Sequence, residues 1–63
     1  MTKSEKMMWL TNIENAANAV AAEYGPEVAQ SVFQRYDAHG THDLSSCYYS
    51  EVFADLELIA NDN

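Results

Sequence analysis

One stretch restricts the fold of this chain more than any other: Val32 to Ile59, VFQRYDAHGTHDLSSCYYSEVFADLELI. On both sides of a short polar break, apolar residues recur at steps of three and four, the spacing of helices that bury one face. The stretch reads as the end of one helix, a tight turn and a second, longer helix. What precedes it reads as a further helix able to lie across that pair. The predicted fold is all-α: a single three-helix domain over residues 1–63, with helices at about 4–24, 26–37 and 45–60. A chain this short buries only about 60% of the surface its unfolded form exposes. A monomer is therefore marginal, and self-association is an open expectation. A single cysteine excludes an internal disulfide, which fits a reducing compartment.

The first helix is carried by Trp9, Ile13, Ala16 or Ala17, Val20 and Tyr24, with Leu10, Ala17 and Ala21 widening the stripe. Thr11, Asn15, Asn18 and Ala22 take the opposite side. Five alanines between positions 16 and 22 favour helix and close approach by a neighbour. Thr2 or Ser4 is the expected cap. Lys3 and Lys6 oppose the helix dipole, so the first turn is expected to fray. Gly25-Pro26 ends this helix and starts the next, glycine suiting the position past a helix and proline the first turn of one. The second helix buries Val28, Ala29, Val32, Phe33 and Tyr36 and runs to Tyr36 or Asp37. Ala38 to Asp43 is the turn, with Gly40 as its left-handed stop. Leu44 is expected in the core, Ser45 or Ser46 as the cap of the third helix, and Tyr48 or Tyr49, Val52, Phe53, Leu56 and Ile59 as its buried stripe.

Chemistry-bearing residues cluster around the turn. His39, His42 and Cys47, with Asp37 and Asp43, offer atoms that zinc accepts, but their spacing matches no paired-ligand pattern. The turn lacks the alternating carboxylates and closing glutamate of a calcium loop. Cys47 falls where a helix dipole lowers a thiol pKa, with a histidine nearby as base. Three short helices provide little of the cleft that a nucleophile needs. A partly buried ordinary thiol is the expectation, with no cofactor, no metal and no enzymatic activity.

Ten acidic residues against three basic ones give a net charge of −7. That field repels nucleic acid and anionic membrane surfaces. It serves solubility at least, and offers an acidic face to a basic partner at most. Lys3 and Lys6 precede only the short run Met7 to Leu10, so neither a signal peptide nor the roughly 20-residue apolar span of a bilayer is predicted. The expected location is cytoplasmic.

The outer side of the third helix carries the sharpest surface signal. Glu51, Asp55 and Asp62 share a face with Leu58 between them. Like charges four apart are unfavourable by about 0.2–0.5 kcal/mol. Asp55, Glu57 and Asp62 also approach the negative end of the dipole. Leu58 lies off the buried stripe. Two consecutive tyrosines do not both point inward on a helix, so one of Tyr48 and Tyr49 is at least partly exposed. The candidate partner-binding residues are Tyr48, Glu51, Asp55, Leu58 and Asp62, the alternative being a merely solvated face.

Val32 with Tyr36, a short glycine-containing turn, Asp43-Leu44, Tyr48-Tyr49, Val52-Phe53 and Asp55-Leu56 together resemble a segment in small uncharacterised proteins of bacterial mobile genetic elements. The resemblance covers less than half of the chain and consists of turn and core positions, so no catalytic residue carries over. This chain departs from it at Asp37, where a glycine is commoner. The resemblance implies an accessory protein of a phage, plasmid or integrative element. Such elements encode small acidic inhibitors of host nucleases, including anti-CRISPR and antirestriction proteins. The expected function is therefore inhibition of a host nucleic-acid-binding defence protein, by charge mimicry or steric block. The alternative is a helical oligomerisation or assembly domain.

Overall fold

The computed structural model describes residues 1–61. Among them are three α-helices and no strand: α1 (Lys3–Tyr24), α2 (Pro26–Gln34) and α3 (Tyr49–Ala60). Two short 3-10 turns, Thr41–Asp43 and Ser46–Tyr48, lie between α2 and α3. The all-α, three-helix reading is what the structure shows.

α1 has 22 residues. At about 1.5 Å per residue it spans roughly 33 Å, the long dimension of a molecule measuring 34 × 20 × 15 Å. Its start is better fixed than the dipole argument foresaw. The Thr2 hydroxyl accepts the Glu5 amide at 3.1 Å, and the Glu5 carboxylate accepts the Thr2 amide at 3.3 Å. This reciprocal capping box satisfies two otherwise orphaned donors and places a carboxylate against the positive end of the helix, beside Lys3 and Lys6. At the other end Gly25 donates its amide to the Ala21 carbonyl at 3.0 Å. Its φ of 106° is open essentially to glycine alone. A Cβ there would also meet the Glu27 carboxylate at 2.5 Å. Pro26 then opens α2 as expected.

The core joins all three helices: Ile13, Ala16 and Val20 from α1, Ala29, Val32 and Phe33 from α2, and Tyr49, Val52 and Leu56 from α3. Ala38 and Leu44 enter it from the connection. Trp9, Leu10, Ala17, Ala21, Val28, Tyr36, Phe53, Ile59 and Ala60 pack around it half-buried. The Trp9 and Phe53 rings meet edge to face at 6.0 Å, joining α1 to α3. Tyr24, assigned to the buried stripe by spacing, is exposed. It lies in the last turn of α1, next to the Gly25 stop, where the layer beneath it has ended.

The connection departs most from expectation. Regular α2 ends at Gln34, and the last turn tightens: Arg35, Tyr36 and Asp37 donate to the carbonyls three residues back, of Val32, Phe33 and Gln34. Ala38 donates to the Phe33 carbonyl at 3.1 Å. The 6→1 and 5→2 bonds with a left-handed residue between them form a Schellman motif. That left-handed residue is Asp37, at φ 58°. Gly40 is extended at φ 176°, so the predicted left-handed stop lies three residues upstream of the glycine. Aspartate tolerates this region because its short polar side chain can bond locally. Ala38, buried at 2%, and Phe33 both belong to the core, at the two positions whose apolar pairing accompanies the motif.

α3 also starts late. Ser46–Tyr48 is a 3-10 turn, Tyr49 is the first α-helical residue, and no side chain caps either segment. The predicted serine cap is not used. Ser45 Oγ instead lies 3.2 Å from Cys47 Sγ.

Candidate functional site

The tyrosine pair resolves by burial. Tyr49 is 2% exposed and sits in the core, whereas Tyr48 is 38% exposed. Tyr48 leans its ring on Tyr36, with centroids 5.1 Å apart at 44°. It stands immediately before α3 and leads into the outward side of that helix. Glu51, Ala54 and Leu58 lie on that side and are all exposed. Leu58 is 72% exposed, whereas Val52, Leu56, Phe53 and Ile59 of the same helix are buried or half-buried. Among the described residues it is the large aliphatic side chain of α3 that lies outside the core.

Asp55 has a different role from its neighbours. It is half-buried, and its Oδ2 accepts the Tyr36 hydroxyl at 2.6 Å. The same oxygen lies 3.8 Å from Arg35. This bond raises the Tyr36 pKa; desolvation and the charges of Asp55 and Glu51 act in the same direction, and Arg35 opposes them. Asp55 thus ties the C-terminal end of α2 to α3. Glu57 accepts from the Asn61 side chain at 3.0 Å in the last turn. Outward charge among Tyr48, Glu51, Asp55 and Leu58 therefore rests on Glu51. Asp62 lies outside the described residues.

The histidine-rich turn is built around Asp43. Its carboxylate accepts the His39 amide at 2.8 Å, the Gly40 amide at 3.2 Å and a contact from His39 Nδ1 at 2.9 Å. The Asp43 pKa falls from 3.8 to about 2, chiefly through the His39 ring, then through the His39 and Gly40 amides and the charge of His42, against some desolvation. Thr41 donates its hydroxyl to Glu14 at 2.9 Å and fastens the turn to α1. Beside this bond an open groove of about 200 Å³ is lined by Glu14, Ala17, Asn18, Phe33 and Thr41. The Asp43 and Thr41 contacts had no signal in apolar spacing, because they link polar residues to backbone and to a distant helix.

Among the described residues, no group of three or more His, Cys, Asp or Glu side chains comes close enough to hold a metal ion. Cys47 is exposed, not partly buried as expected, because the 3-10 turn ahead of α3 rotates it away from the core. No described helix is long and apolar enough to cross a membrane. Compared with protein-family models, with curated proteins and with solved structures, the chain matches none.

Proposed function

We propose that the protein is a small protein-binding module that inhibits a host nucleic-acid-binding defence protein of the kind met by mobile genetic elements. Leu58 carries this reading: a large apolar side chain, 72% exposed, on a helix whose other large aliphatic residues are covered. With Tyr48 at its edge and Glu51 beside it, the face combines an apolar anchor, an amphipathic aromatic and a carboxylate. Tyrosine is a frequent interface anchor. A net charge of −7 draws such a face toward basic surfaces, and carboxylates satisfy the Lys and Arg groups that otherwise hold phosphates. The buried residues are accounted for by packing and the turn carboxylate by the turn, which leaves this face without a structural duty.

The test is protection in cells that carry defined CRISPR or restriction systems. The wild-type chain is expected to restore phage plating or plasmid entry against at least one system. A Glu51→Lys/Leu58→Asp variant with an unchanged circular dichroism spectrum is expected to lose that protection. Binding of the purified target is expected to weaken steeply with salt, as charge-led association does. Protection that survives the double substitution would remove α3 from the reading. The absence of protection against every system, with no binding to their purified effectors, would remove the inhibitor.

A further inference from the structure

The first eight residues are all exposed. The opening two turns of α1 project beyond the Trp9–Phe53 contact, where packing of this helix begins. Lys3, Lys6, Met7 and Leu10 follow one another at helical steps and share one side of the projection. Met7 is 60% exposed and Leu10 half-buried. This is the basic end of the chain. Lys3 and Lys6 outnumber Glu5 here, whereas the other nine acidic residues share the rest of the sequence with Arg35 alone. Neither lysine forms an ion pair among the described residues. Both face the positive end of the helix dipole, where a cation is unfavourable unless an anion covers it.

The outward side of α3 has the opposite chemistry: Glu51 for charge, then Ala54 and Leu58 for apolar contact. The Trp9–Phe53 contact holds the middle of α3 against the base of the projection. The basic-apolar and acidic-apolar surfaces are thus both exposed on one molecule. A two-fold axis that seats one of them on its complement in a second copy seats the other in the same way, the isologous arrangement of most homodimers.

We infer that the N-terminal projection of α1, through Lys3, Lys6 and Met7, docks on Glu51, Ala54 and Leu58 of a second copy, and that the exchange is reciprocal. Charge complementarity within a single sequence selects this occupant. The inference shares the Leu58 face with the proposed function but stands without it. A basic partner and a second copy would compete for that face.

Sedimentation equilibrium of the full chain up to about 1 mM, at low and high salt, reads the association; small interfaces of this kind bind weakly. The wild type is expected to pass from monomer to dimer and no further, with added salt shifting it back toward monomer. Two charge reversals make the decisive arm: Lys3→Glu/Lys6→Glu in one protein and Glu51→Lys in another. All three positions are exposed, and circular dichroism checks that each variant folds. Each variant alone is expected to show at least a tenfold weaker dimer. Their equimolar mixture is expected to recover the wild-type constant, because both contacts of the mixed dimer then pair opposite charges. A wild type that stays monomeric throughout would overturn the inference, as would open-ended assembly or a dimer indifferent to either reversal. So would capture of a monomeric wild type by zwitterionic vesicles, which would assign the projection to lipid. A monomer that still blocks a defence system would leave the proposed function in place. A dimer that blocks none would leave only this inference.

Discussion

Ile13, Ala16 and Val20 hold the middle of α1 in place by burial, whereas residues 39–43 are held by side-chain oxygens. The helix meets its backbone donors internally and offers one apolar side to its neighbours. The connection has two apolar anchors, Ala38 and Leu44. Between them it relies on the Asp43 carboxylate to satisfy the His39 and Gly40 amides and on Thr41 to reach Glu14. Burial decides whether so short a chain folds at all. A few polar contacts decide the route by which α2 passes into α3.

The largest expected effect tests the first half of that contrast. Leu56 is fully buried where α3 meets the core. Leu56→Ala is expected to destabilise by about 2–5 kcal/mol through lost transfer energy and the cavity left behind. At about 0.05–0.15 kcal/mol per residue, a 63-residue chain holds only roughly 3–9 kcal/mol in total. A substantial unfolded population at 25 °C is therefore expected. Leu58→Ala, two residues on and exposed, is expected to change stability by less than about 0.5 kcal/mol. Urea titrations followed by circular dichroism compare the two. Equal losses would show that Leu58 is covered in solution, by a second copy or otherwise.

The same contrast explains what could be read from the residues alone. Periodicity at Ile13, Val20, Val32, Val52 and Leu56 reports burial directly, since a helix that hides one side must repeat its apolar positions. The three helices followed from that, as did the Gly25-Pro26 break, where two residue types each have one favoured use. Exposure of Leu58 followed as well, because it lies off the stripe. Asp55 was legible as a charge but not as a tie: its bond to Tyr36 joins residues 19 apart across two elements. The turn was misplaced because glycine is the usual sign of a left-handed stop, and here Asp37 takes that conformation while Gly40 is extended. The late start of α3 had no marker, since its serines cap nothing.

A smaller effect tests the second half. Asp43→Asn keeps the size of the side chain but removes its charge and one acceptor. The expected result at pH 7 is a lower urea midpoint, by less than Leu56→Ala produces. The pH dependence carries the sign. The folded-state pKa of Asp43 is depressed from 3.8 to about 2. The carboxylate therefore contributes stability that is fully present above the unfolded value and lost as pH falls through the folded one. The gap between wild type and Asp43→Asn is expected to hold from pH 7 to about 4 and to close toward pH 2. The variant serves as the reference because other carboxylates titrate in the same range, and subtraction isolates this one. A gap unchanged across that window would mean that the turn is held by shape and by Ala38 and Leu44, and not by the carboxylate.

The smallest effect concerns the residue that joins the two regions. Asp37 stands at the end of the α2 turn at φ 58°, followed at once by buried Ala38. An L-residue in the left-handed region is disfavoured by about 1–2 kcal/mol, less for aspartate, whereas glycine enters it freely. Against that gain, glycine adds freedom to the unfolded chain, worth about 0.4–1 kcal/mol. Asp37 also places a carboxylate at the negative end of a helix, which Asp37→Gly removes. Asp37→Gly is therefore expected to stabilise by a fraction of 1 kcal/mol. Asp37→Val, branched at Cβ, is expected to destabilise by about 1 kcal/mol or more, because its bulk suits the left-handed region least. At Gly40, where the backbone is extended, Gly40→Ala meets only the movable His42 ring at 3.2 Å and incurs no left-handed penalty. Urea midpoints that rise for Asp37→Gly, fall for Asp37→Val and barely move for Gly40→Ala would locate the stop at Asp37. A large loss at Gly40→Ala with indifference at Asp37 would return it to the glycine, and the route into α3 would then depend on backbone freedom rather than on the Asp43 carboxylate.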